Sequence, residues 1–173
     1  MILSPGQSPP LRFEVVEDLS ESLANDLLEL SIATRDLDYE STGLYFPVGF
    51  SAKQFPSKPG PTNNQTKWIG IHVWEAKNGV ANGAVSRAAF LASWQEFLGH
   101  FSEIEDARFK VKEANFDDKA RSVPNADQPT AAVGAAGRAR IACYVIGRDV
   151  DGKREWARGT FWTNVRYDAN KHW

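Results

Sequence analysis

Arg138-Ala-Arg-Ile-Ala-Cys-Tyr-Val-Ile-Gly-Arg148, Asp149-Val-Asp-Gly-Lys153 and Arg154-Glu-Trp-Ala-Arg-Gly-Thr-Phe-Trp-Thr-Asn-Val-Arg-Tyr-Asp-Ala-Asn170 follow one another without a break. Two alternating runs flank a turn centred on Asp151-Gly152, which is a strong local signal for a β-hairpin. Side chains alternate between faces along a strand. Ala157, Gly159, Phe161, Val165 and Tyr167 therefore fall on one face of the second run, suited to lying beneath helices. Arg154, Trp156, Arg158, Thr160, Trp162 and Arg166 fall on the other. A face mixing Trp with Arg is too charged for a dry core. It reads as a solvent face with cation–π ladders or as a recognition surface for a partner.

Upstream of this ribbon, Leu19, Leu23, Leu27 and Leu30 recur at helical spacing, widened by Leu28 and Ile32. That predicts an amphipathic helix over 18–36 with Asp18 or Ser20 as its cap. Residues 1–17, with three prolines and a glycine, read as an extended arm ending in a short edge strand. Residues 55–66 read as a surface loop. Lys67 to Trp74 alternates as an interior strand, with Trp68, His72 and Trp74 on one face. Ser86 caps a second expected helix reaching about His100, with Phe90, Trp94, Phe97 and Leu98 on its apolar side. Ala107 to Glu113 is a strand with one wet face, Phe109 and Val111 pointing inward. Residues 115–137 read as a long polar loop or insertion, in part mobile.

The 173 residues suit a single domain over 18–173. A net charge of -2 argues against a nucleic-acid or anionic-membrane surface, and no apolar run approaches the length of a membrane span. The opening residues lack the basic and apolar regions of a signal peptide. The single cysteine, Cys143, lies in an apolar run and reads as a small buried hydrophobe. The three histidines lack metal-ligand spacing, and neither a phosphate loop nor a serine elbow is present, so no metal or cofactor is expected.

Strands grouped after helices predict an α+β fold: a curved, mainly antiparallel sheet forming a cone around two or three helices. The first helix ending in Ala33-Thr-Arg-Asp-Leu-Asp38, the aromatic loop after it and the long last hairpin resemble the cystatin-like α+β cone superfamily. That superfamily includes SnoaL-like polyketide cyclases, ketosteroid isomerase and nuclear transport factor two. Trp94 to Phe101, Phe109 to Phe116 and Gly147 to Thr160 further resemble the cone-type region preceding FG-GAP/VCBS repeats and an ASPIC/UnbV segment in large bacterial surface proteins. This second resemblance implies that the chain is a piece of a longer one.

By that resemblance an acid near a pocket mouth is a candidate general base. Asp38 fits, with Tyr39 or Tyr45 as oxyanion donor; the alternative is a solvated acidic cluster paired with Arg35. His72 is the second candidate acid/base, or else a hydrogen-bonded strand histidine. Trp68, Trp74, Phe90 and Trp94 are candidate walls of an apolar ligand pocket, or simply core. The first helix lacks the tyrosine that ketosteroid isomerase chemistry requires. Without a convergent catalytic set, the expected function is a non-catalytic ligand-binding or association module. It would dimerise or bind a partner through Arg154, Trp156, Arg158, Trp162 and Arg166. The alternative is a small cofactor-independent isomerase, cyclase or hydratase acting on an apolar small molecule.

Overall fold

A computed structural model describes residues 12–53, 62–65, 70–72, 84–124 and 128–173; for residues 62–65 and 70–72 it describes the backbone only. The chain is α+β. Its elements are α1 (Phe13–Arg35), α2 (Tyr39–Leu44), β1 (Ser51–Ala52), β2 (Thr62–Gln65), β3 (Gly70–His72), β4 (Val85–Ser86), α3 (Arg87–Leu98), β5 (Phe101–Phe116), β6 (Ala136–Asp149) and β7 (Arg154–Arg166). The last three strands form an open antiparallel meander in the order β5-β6-β7. Two small antiparallel pairs, β1 with β4 and β2 with β3, stand apart from it.

The hairpin forms where the sequence places it, with a longer loop than Asp151-Gly152 alone. Asp149 and Lys153 close the ladder, because Asp149 N donates to Lys153 O at 2.9 Å. Gly152 N donates to Asp149 O at 3.0 Å, and Gly152 has φ 76°. This is a three-residue loop whose last position is left-handed, the geometry that favours glycine. Asp149 Oδ1 accepts from Asp151 N at 2.9 Å and Lys153 N at 2.8 Å, so a buried carboxylate replaces the missing backbone partners.

One face of the meander is core. Leu19, Leu23, Leu27 and Leu30 of α1 and Trp94, Phe97 and Leu98 of α3 join Phe101, Ile104, Ala107 and Phe109 of β5 and Ala139, Ile141 and Val145 of β6. Helix α1 lies chiefly across β5. Ser31 Oγ ties the two, accepting from Phe109 N at 3.0 Å while donating to Leu27 O. Register shifts at three places along β5 mark bulges, which bend a strand and raise its twist. Opposite them Gly147 is obligatory, because an added Cβ would sit 2.3 Å from Glu103 O and 2.7 Å from Phe101 Cδ1.

Four expectations need correction. The extended arm over 1–17 is wrong at its end: Phe13 to Glu17 is the first turn of α1, held because Val15 packs on the core. Neither Asp18 nor Ser20 caps that helix; Ser20 Oγ donates to Val16 O within it. The 55–66 loop contains β2, and of the expected interior strand over 67–74 the described part, β3, pairs antiparallel with β2. The 115–137 loop shortens at both ends as β5 and β6 extend, and three of its alanines are not solvated. Ala120, Ala131 and Ala135 are buried in the core, and Ser122 bridges Ala131. Small side chains let this backbone lie close against the rest, which polarity alone does not reveal.

Candidate functional site

The second face of the meander is open among the described residues. The unshifted β6–β7 register puts Arg140 opposite Trp162, Tyr144 opposite Arg158 and Ile146 opposite Trp156. Trp156 is 64% exposed and Trp162 is 45% exposed, large values for the most costly apolar surfaces to leave in water. Both are held under guanidinium groups. Arg158 Cζ lies 5.5 Å from the Trp156 ring centroid; Arg138 and Arg140 lie 4.6 and 6.0 Å from that of Trp162. Such stacking contributes about 0.5–1 kcal/mol at an exposed site and fixes ring orientation.

Acidic residues of β5 hold part of this arginine array. Arg148 Nε and Arg154 Nε reach the two oxygens of Glu105 at 3.3 and 2.8 Å. Arg140 Nε lies 3.6 Å from Glu113, and Tyr144 Oη donates to Asp106 at 3.2 Å. Arg138, Arg158 and Arg166 have no ion pair among the described residues. The result is a surface of two exposed indoles, stacked cations and free arginine charge. It matches the composition of binding hot spots, which favour Trp, Tyr and Arg. A shallow groove crosses it, between Ala142, Tyr144, Trp156, Arg158 and Thr160.

Sequence parity found Arg154, Trp156, Arg158, Trp162 and Arg166 but missed Arg138, Arg140 and Tyr144. Those three share the face through register. The alternation of β6 carried the signal, once its even-numbered positions are aligned with those of β7.

Of the other candidates, those whose side chains are described lie away from this face. Asp38 is the N-cap of α2, accepting from Ser41 N at 3.0 Å and Ser41 Oγ at 2.6 Å. Those bonds hold its carboxyl below the ordinary aspartate range. That suits a cap and makes it a weak base. Arg35 pairs with Asp36, at 2.8 Å. Among the described residues Trp94 is buried against Phe97 and Phe109, and Phe90 stacks on Phe46 and Phe50. The His72 backbone belongs to β3; its side chain, like Trp68 and Trp74, lies outside the described residues. Cys143 packs against the core, and burial pushes its thiol up to about 11, so it is an inert thiol at neutral pH.

Tyr45 belongs to a second cluster that the sequence does not reveal. Its ring meets that of His172 edge-on, centroids 5.2 Å apart. His172 Nδ1 is 3.9 Å from Asp26, which accepts from Trp173 N at 2.6 Å. Trp173 Nε1 donates to Ser22 Oγ at 3.1 Å, and its ring meets Phe116 and Tyr167. Burial, followed by the negative charges of Asp26 and Glu29, pushes the Tyr45 phenol up to about 12, so it stays neutral at physiological pH. This cluster clasps residues 168–173 to α1.

The Asp26 carboxyl is raised above 3.8, chiefly by burial and against the opposing bond from Trp173 N. Raised in the folded state, it favours folding most below the unfolded value and loses that contribution as pH rises through the folded one. Asp26→Asn keeps an acceptor for Trp173 N and cannot ionise. Urea unfolding across pH 3.5–7 is therefore expected to show wild type losing stability relative to this variant as pH climbs above about 4. A constant difference across that range would contradict the assignment.

Among the described residues no group of His, Cys, Asp and Glu is arranged to hold a metal, and no helix is long and apolar enough to cross a membrane. No family model, curated protein or solved structure matches the chain.

Proposed function

We propose that this chain is an association module rather than a catalyst, and that it joins a second copy of itself through β7 and the Trp/Arg side of the sheet. The observation that carries this is the pair of exposed indoles, Trp156 and Trp162, pinned under arginines on a regular three-stranded scaffold. Side chains on paired strands lose little further freedom on binding, so their surface is preorganised. Phe161 adds to it: although it points to the helix side, it is 41% exposed because α1 lies over β5. The exposed apolar surface of the sheet thus concentrates on one edge.

The cone architecture belongs to the same proposal. It is supported by the 16-residue, bulged β5 and by α1 crossing its inner face. The rival enzyme reading draws no support from Asp38, whose carboxylate is committed to Ser41.

Light scattering over a concentration series tests the association. Trp156→Ala and Trp162→Ala are each expected to weaken self-association about 30-fold, the effect of removing a hot-spot residue. Monomer stability should change by less than about 1 kcal/mol, because both rings are exposed. Unchanged association in both variants would remove the Trp/Arg surface from the account.

A further inference from the structure

The antiparallel ladder makes the edge of β7 specific. At one end Asp149 N donates to Lys153 O, and at the other Tyr167 N donates to Ala135 O, each between directly opposite residues of an unshifted register. Hydrogen-bonded and non-bonded pairs alternate along such a ladder. The odd-numbered residues of β7 therefore spend their N–H and C=O groups on β6. The even-numbered residues from Arg154 to Arg166 turn theirs to the outer edge. Among the described residues no backbone group on that edge is paired with another strand. A 13-residue edge without a bulge or proline is a ready template for another strand.

We infer that β7 pairs edge-to-edge with β7 of a second copy, antiparallel, about a two-fold axis at Gly159, extending the meander into a continuous six-stranded sheet. This rests on the association reading above and specifies its geometry. The sequence Trp156-Ala-Arg-Gly-Thr-Phe-Trp162 has Trp at both ends and Gly at its centre. In this register Trp156 faces Trp162 of the partner subunit, Arg158 faces the partner's Thr160, and Arg154 faces the partner's Asn164. No two arginines stand directly opposite. An axis at Arg158 would set that arginine against its own copy, and one at Thr160 would set Arg154 against the partner's Arg166, each a like-charge pair that destabilises a sheet. On the helix side Ala157 meets the partner's Phe161 and covers its exposed ring. Gly159, at a close non-bonded position on the axis, leaves room for the approach. Because α1 lies over β5, the helix side of β7 is clear for the second copy.

The experiment compares wild type with Thr160→Pro and reads amide exchange by NMR at low and high protein concentration. Thr160 N–H points to the free edge, so proline removes no β6 bond and blocks only the added strand. The expected results are monomers retaining the wild-type circular dichroism and melting, with self-association weakened on the order of 100-fold. In wild type the amides of Trp156, Arg158, Thr160 and Trp162 should gain protection with concentration, while those of Ala157 and Phe161 are protected throughout. Wild-type dimers that survive Thr160→Pro, or that leave the even-numbered amides unprotected, overturn edge pairing and leave the Trp/Arg surface as the contact. Should Thr160→Pro fail to fold, the wild-type exchange pattern alone decides. A wild type that is monomeric at all concentrations overturns both readings.

Discussion

Trp173→Ala is expected to destabilise the domain by about 3–5 kcal/mol, the usual cost of truncating a buried Trp. Trp173 is 9% exposed and joins three parts of the chain. Its backbone N–H is taken by Asp26, its indole N–H by Ser22, and its ring by Phe116 and Tyr167. Truncation empties the volume between α1 and the end of β5. It also strips Ser22 of the indole, leaving that hydroxyl only the weaker approach of Ala131 N at 3.3 Å. Thermal unfolding should fall by roughly 10 °C for a domain of this size. Trp173→Phe separates the contributions: it keeps ring packing and loses only the indole hydrogen bond, at a cost of about 1 kcal/mol beyond the change in ring size. If Trp173→Ala melts within a few degrees of wild type, the clasp is not part of the cooperative core.

Gly147→Ala is the second large effect, expected to cost about 3 kcal/mol from a single added carbon. The space beside Gly147 is already occupied before the substitution. The nearest obstacle is the carbonyl oxygen of Glu103, a backbone atom on the paired strand, and Phe101 closes the other side. Relief would require β5 to move away where its bulges already interrupt the register. Gly159→Ala is the control on the neighbouring strand. Its Cβ would meet only Cys143 Sγ at 3.5 Å, an ordinary contact, so monomer stability should hold within about 0.5 kcal/mol. Chemical denaturation of both variants checks the pair. Equal costs would show that the contact at Gly147 relaxes.

These two sites mark how far the sequence is legible. Local periodicity found α1 and α3, the cap at Ser86 and the last hairpin, since each depends on neighbours within a few residues. Parity then separated Trp156 and Trp162 from Phe161 and Val165, since the side chains of a strand alternate. What required three dimensions was register and closure. Arg138 and Arg140 join the Trp162 surface only because β6 aligns on β7. Trp173 meets Asp26 across 147 residues, a contact no local pattern encodes. The start of α1 was hidden for a different reason. Val15 and Val16 favour strands in isolation, and the packing of Val15 on the core overrides that preference. At Asp38 the residue type was right for two roles, and only its bonds to Ser41 identify it as a cap.

We propose that the free edge and Trp/Arg side of β7 are covered by a second copy. Exposed Trp156, Phe161 and Trp162 on a 13-residue edge strand would otherwise be a liability to aggregation. Sedimentation velocity of the wild-type chain from micromolar to near-millimolar concentration tests it directly. A reversible shift to a species of twice the 19.2 kDa chain mass is expected. A single 19.2 kDa species throughout that range would contradict it.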